Sequence, residues 1–145
     1  MPVETTASGI TLYAVPALGP ALPEIFMAIG ILALLLYGAL RGERSTGAVT
    51  AGSIALMAFT LGFVITMPVE TQITFADAFI TDGFARFMKA LSLIGAIVVL
   101  AMSREHFSRL GIDRYEYPLL ILLATLGMMV MISANDLIAL YLGLE

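Results

Sequence analysis

Three ionisable residues stand inside apolar runs, where a charge is expensive, and any chemistry would be expected from them. Glu145 closes the run ISANDLIALYLGLE, Lys89 lies within GFARFMKALSLIGAIVVLAM, and Asp136 opens the stretch that leads to Glu145. Placing an acidic side chain at a membrane-helix centre costs about 2.5 to 3.5 kcal/mol, so such residues face a polar interior and mark ion or proton paths. At about 1.5 Å per helical residue, Glu145 lies about 13 Å beyond Asp136, near the middle of a hydrocarbon core about 30 Å thick. Its side chain is too short to reach water from there, so it needs a partner or a proton. Desolvation favours the protonated carboxyl and a neighbouring lysine favours the ionised form, so a moving lysine would switch the group between holding and releasing a proton. The alternative is a neutral glutamic acid whose hydrogen bond ties two helices together.

The other two candidates have simpler explanations. Lys89 falls about seven residues into its apolar run, and its long stem could carry the ammonium back to the interface together with Arg86. Snorkelling is the expected arrangement. The alternative is a lysine facing the bundle interior, paired with an acidic residue on an ion path, and no carboxylate in the spans is an obvious partner. Asp136 follows Asn135, and Ser133 stands three residues before it in an S-x-x-D pattern that resembles a capping box. A cap is expected there, with conduction of protons to the outer surface as the alternative. Met128, Met129 and Met131, with Leu126, are expected to be adaptable packing material, because the histidines and cysteines that a soft metal would want are missing from their neighbourhood.

Composition fixes what must position these groups. The chain has 145 residues, 60% of them hydrophobic and 12% charged, with a mean hydropathy of +1.00. That leaves too little polar surface to coat a soluble domain of this size, so an integral membrane protein is expected. It contains no cysteine and one histidine, which argues against a disulfide framework and against a metal centre. A net charge of −4 with scattered basic residues offers nothing to nucleic acid. The opening MPVETTASGITLYAVPALGP has no basic n-region and is broken by Pro2, Pro16 and Pro20, so it is expected to be retained and not cleaved as a secretory signal.

The predicted fold is all-α: a polytopic membrane helix bundle of four spans and the first half of a fifth. An N-terminal segment, about 1–21, leads into span 1 at about 22–40, and a loop at 41–47 leads into span 2 at about 48–68. A second loop, about 69–83, precedes span 3 at about 84–102, and a third, about 103–116, precedes span 4 at about 117–134. Residues 135–145 begin span 5 and end in mid-helix, which suggests a fragment, because terminal carbonyls in lipid would lack partners. Pro23 suits a first helical turn and Glu24 complements the positive end of the helix dipole, a structural role. Ala51, Ala55, Ala58 and Gly62 fall at small-xxx-small spacing and are expected to be packing positions. The segment VETQITFADAFITDG is too polar to span and alternates briefly, so a connecting loop with a short extended stretch is expected. Asp82 and Gly83 could cap span 3. Pro118 falls in the first turn of span 4, and Tyr115 and Tyr117 stand where interfacial aromatics sit.

Positive charge sets the expected orientation. Arg41 and Arg44 follow span 1, and Arg104, Arg109 and Arg114 follow span 3, whereas the loop between spans 2 and 3 carries Glu70, Asp77 and Asp82. The positive-inside rule then puts the N-terminus outside the cytoplasm and runs span 5 from outside inward.

The segment LLATLGMMVMISANDLIALYLGLE is also the part of the chain that resembles a known family most specifically. Together with DGFARFMK at Asp82 to Lys89 and LPE at Leu22 to Glu24, it resembles the antiporter-like membrane subunits of bacterial proton-pumping NADH:quinone oxidoreductase, subunit N above all. Sister subunits and cation/proton antiporter subunits share the glutamate but usually carry tryptophan before it, where this chain has Leu144. The resemblance implies the N-terminal part of a subunit of about fourteen helices with two inverted five-helix repeats. It makes Glu145 the fifth-helix glutamate that pairs with a lysine on a later helix. It implies a translocase subunit in the bacterial inner membrane, bound to lipid and to other membrane subunits of the complex. NADH, flavin, iron–sulfur clusters and quinone are expected elsewhere in that complex. This chain is expected to bind none of them, since it has no dinucleotide fingerprint, no cysteine and no histidine pair. The alternatives are a sodium/proton antiporter subunit and a non-transporting membrane scaffold.

Overall fold

The computed structural model describes residues 19–66, 72–74, 79–110 and 114–145. A short 3-10 turn, Gly19–Ala21, leads into α1 (Leu22–Arg41). Pro23 falls in the first turn of α1, where its missing N–H costs nothing, and Gly42 ends the helix with a φ of 62° that a side chain would resist. A second 3-10 turn, Gly42–Ser45, leads directly into α2 (Thr46–Thr66). The Ser45 hydroxyl donates to the Gly42 carbonyl at 2.7 Å and holds this turn closed.

The expected connecting loop contains an antiparallel hairpin. Strands β1 (Gln72–Thr74) and β2 (Phe79–Thr81) pair in the register Gln72 with Thr81, Ile73 with Ile80 and Thr74 with Phe79. Asp82 then caps α3 (Gly83–Leu110), as expected, with Oδ1 accepting from the Ala85 amide at 2.7 Å. This helix overruns the expected span. The loop predicted from residue 103 is helical as far as Leu110, because leaving the apolar core removes no backbone hydrogen bond and the intervening residues carry neither glycine nor proline. Helices α4 (Glu116–Ser133) and α5 (Leu137–Leu144) complete the described chain.

Successive helices run antiparallel: a four-residue turn joins α1 to α2, Arg86 at the start of α3 meets Ile65 at the end of α2, and Ser103 meets Tyr117 at the start of α4. The first four enclose a core in which α1 and α3 lie across a diagonal, each packed between α2 and α4. Met27 and Ile31 of α1, Met57 and Val64 of α2, Leu93 and Leu100 of α3, and Leu122 and Met129 of α4 fill it. Large apolar side chains such as Leu32, Leu40, Met102 and Leu120 point outward instead. Helices α1 to α4 are each long and apolar enough to cross a membrane, so the outward apolar surface fits lipid as solvent.

The small-residue stripe on α2 does not pack as expected. Ala51, Ala55, Ala58 and Gly62 are exposed, and the buried face carries Val49, Thr50, Ser53, Met57, Thr60 and Val64. Because α2 is apolar all round, spacing alone could not say which stripe faces its neighbours.

Candidate functional site

The two ends of the bundle are distinct. At the turn end, the Tyr115 ring lies against Gly38, and the hydroxyls of Ser103 and Tyr117 are 3.0 Å apart. At the hairpin end, where α1 and α3 begin and α2 and α4 finish, Arg86 donates to the Ile65 carbonyl.

Lys89 belongs to the hairpin end, and its surroundings correct the expectation of snorkelling. It is 2% exposed, and its Nζ stands 2.6 Å from Glu24 Oε1, whose own side chain is 7% exposed. The residue lies about 9 Å along α3 from Gly83, and helical side chains lean back toward the N-terminus. The stem therefore does run toward the helix start, but it ends on a carboxylate inside the bundle. The pair crosses the diagonal between two helices that scarcely touch. Glu24 thus does more than complement the dipole of its own helix. The contact is close without being well directed, since neither Glu24 oxygen meets hydrogen-bond geometry among the described residues. Sequence reasoning missed Glu24 as a partner, although the up-down topology was enough to put the starts of spans 1 and 3 at one end.

Below this pair the core carries hydroxyls that are satisfied locally. Ser53 donates to the Val49 carbonyl, Thr60 to Leu56 and Thr125 to Ile121, each at 2.7 or 2.8 Å and each one turn back along its own helix.

Asp136 caps α5 as expected, with extended backbone and Oδ1 accepting from the Leu137 amide at 2.7 Å. The capping box with Ser133 does not form: the Ser133 hydroxyl is fully buried and has no hydrogen-bond partner among the described residues. Ser133 is still inside α4, so its side chain is committed to the bundle, and Asp136 caps alone.

Glu145 ends α5, where its amide donates to the Tyr141 carbonyl at 3.1 Å. Its side chain is exposed, and Oε1 accepts from the Tyr141 hydroxyl at 3.1 Å. No residue of α5 is buried, and the helix packs mainly on α4, through a close crossing of two glycines. A Cβ on Gly127 would stand 2.6 Å from the Gly143 carbonyl oxygen, and one on Gly143 would stand 2.9 Å from the Met131 amide nitrogen. Small residues let helix backbones approach this closely in lipid. The structure therefore does not bring Glu145, Lys89 and Asp136 into one site. Lys89 joins Glu24, whereas Glu145 bonds to Tyr141 among the described residues.

This fold, with charge held inside an apolar bundle, defines a multi-pass membrane protein. No family model matches the chain. It is 55% identical over 131 residues to NADH-quinone oxidoreductase subunit N of Methylobacterium nodulans, and 48% identical over 131 residues to subunit N of Parvibaculum lavamentivorans. To subunit N of Rhodospirillum rubrum it is 49% identical over 130 residues. These matches cover 88 to 90% of the chain and 27% of each relative. The chain therefore matches an N-terminal fragment of subunit N and spans about a quarter of the length of these relatives.

Proposed function

We propose that this chain is part of a membrane subunit of bacterial NADH-quinone oxidoreductase and takes part in proton translocation coupled to electron transfer from NADH to quinone. The 55% identity to a subunit N over 90% of the chain carries the proposal. Glu145 is the proton-transfer carboxylate. Its position in an apolar helix gives it no aqueous route of its own, so it depends on a cationic partner contributed by sequence beyond α5. Tyr141, one turn back, orients Oε1 through the hydrogen bond described above. The chain itself does electrostatic work, while flavin, iron–sulfur clusters and quinone belong to other parts of the complex. The positive-inside rule supports an N-terminus outside the cytoplasm, and the similarity to bacterial subunit N supports a location in the inner membrane, against lipid and the other membrane subunits.

Glu145→Gln tests the role. NADH-driven proton uptake into inside-out membrane vesicles should fall while the complex still assembles, and unchanged uptake would overturn the assignment. Copurification with NADH dehydrogenase activity separates this proposal from an antiporter subunit, which would lack it.

A further inference from the structure

Four buried side-chain polar atoms among the described residues make no hydrogen bond, Glu24 Oε1 and Oε2, Ser133 Oγ and Thr81 Oγ1, although Oε1 is ion-paired to Lys89. All of them occur at the hairpin end of the bundle. Glu24 stands in the first turn of α1, Ser133 is the last residue of α4, and Thr81 ends β2 just before α3. Other buried hydroxyls of the bundle, those of Thr50, Ser53, Thr60 and Thr125, are satisfied by their own helices. The hydroxyl of Ser133 could have bonded one turn back in the same way, yet it does not.

Buried polar atoms without partners are rare in folded proteins, and a local group of them points to bound water or an ion. Here the groups present include a carboxylate, an ammonium and hydroxyls. That mixture of donors and acceptors suits water, which needs two to four polar partners, and it suits a metal ion poorly because Lys89 already supplies the positive charge. We propose that the hairpin end of the bundle is an internal hydration site, in which ordered water is held between the Glu24–Lys89 pair and the Ser133 hydroxyl, with Thr81 at its rim. This water lies apart from Glu145 and supplies the hydrogen bonds that the Glu24 carboxylate lacks. The inference is independent of the function proposed above.

Two methionines report on it. Met27 is one turn deeper than Glu24 on α1, and Met129 is one turn deeper than Ser133 on α4, and both are fully buried. Hydroxyl radicals generated from bound water by synchrotron irradiation should oxidise them in the full-length protein in its native membrane, with a reporter peptide confirming the radical dose. Ser133→Ala should reduce the labelling of Met129 and lower the Tm. The pair replacement Glu24→Leu with Lys89→Met should abolish the labelling of Met27. Two results would overturn the site: Met27 and Met129 unlabelled in the unaltered protein, or Ser133→Ala raising Tm with labelling unchanged, the result expected of a dry orphan hydroxyl. Because Ser133→Ala deletes one atom, the test survives even if the double variant fails to fold.

Discussion

Two carboxylates of this chain, Glu24 and Glu145, are handled in opposite ways. Glu24 is buried in the bundle and faces a lysine at 2.6 Å, so the bundle already supplies its counter-charge. Glu145 follows a helix with no buried residue and, among the described residues, bonds to a tyrosine hydroxyl at 3.1 Å. Membrane depth alone therefore does not identify a working carboxylate. A buried charge that has found its partner within the same bundle ties its helices together.

The contrast is sharpest in stability, and the largest effect should come from breaking the enclosed pair. Lys89→Met alone would leave the Glu24 carboxylate uncompensated and should cost about 3 to 5 kcal/mol, seen as a lower denaturant midpoint for unfolding in mixed micelles. Adding Glu24→Leu should recover much of that loss, and a double-mutant cycle that shows simple additivity would deny the pair any coupling.

Next in size is the crossing that carries Glu145. Gly127→Val would drive a side chain into the Gly143 carbonyl and should cost about 1 to 3 kcal/mol as overpacking. Disulfide cross-linking between cysteines introduced on α4 and α5 should then lose efficiency, while the Glu24–Lys89 end keeps its protection.

Asp136→Ala removes the cap of α5 and should cost about 1 kcal/mol, measured as faster amide exchange in the first turn of that helix. The smallest effect should come from Tyr141→Phe, which removes one exposed hydrogen bond to Glu145 and should change stability by less than about 1 kcal/mol. Proton uptake is the informative measurement for that variant, since a drop without loss of stability would assign Tyr141 to orienting the carboxylate.

Much of this architecture was legible in the chain. Hydropathy and length announced four spans, Pro23 and Asp82 marked helix starts, and Asp136 marked the beginning of α5. These features are local: a proline in a first turn or an aspartate before a helix acts on amides a few residues away. The rest was not local. Lys89 looked like a residue reaching for water because its partner stands on a helix far away in sequence. The small-residue stripe of α2 looked like a packing face because an all-apolar helix offers no contrast between its sides. Ser133 looked like a cap because the pattern fits, but the end of α4 had turned its hydroxyl into the bundle.

The sequence by itself thus determined that this is a membrane helix bundle, where its helices begin, and that Glu145 lies in an apolar helix of a chain similar to subunit N. Only the tertiary structure decided that Lys89 is paired with Glu24 across the diagonal, that Tyr141 bonds to Glu145, and which face of α2 packs against α1, α3 and α4. Helix formation depends on neighbours within a turn, whereas the pairing of charges and the choice of a buried face depend on which helices meet, and in an almost uniformly apolar chain only three-dimensional packing carries that information.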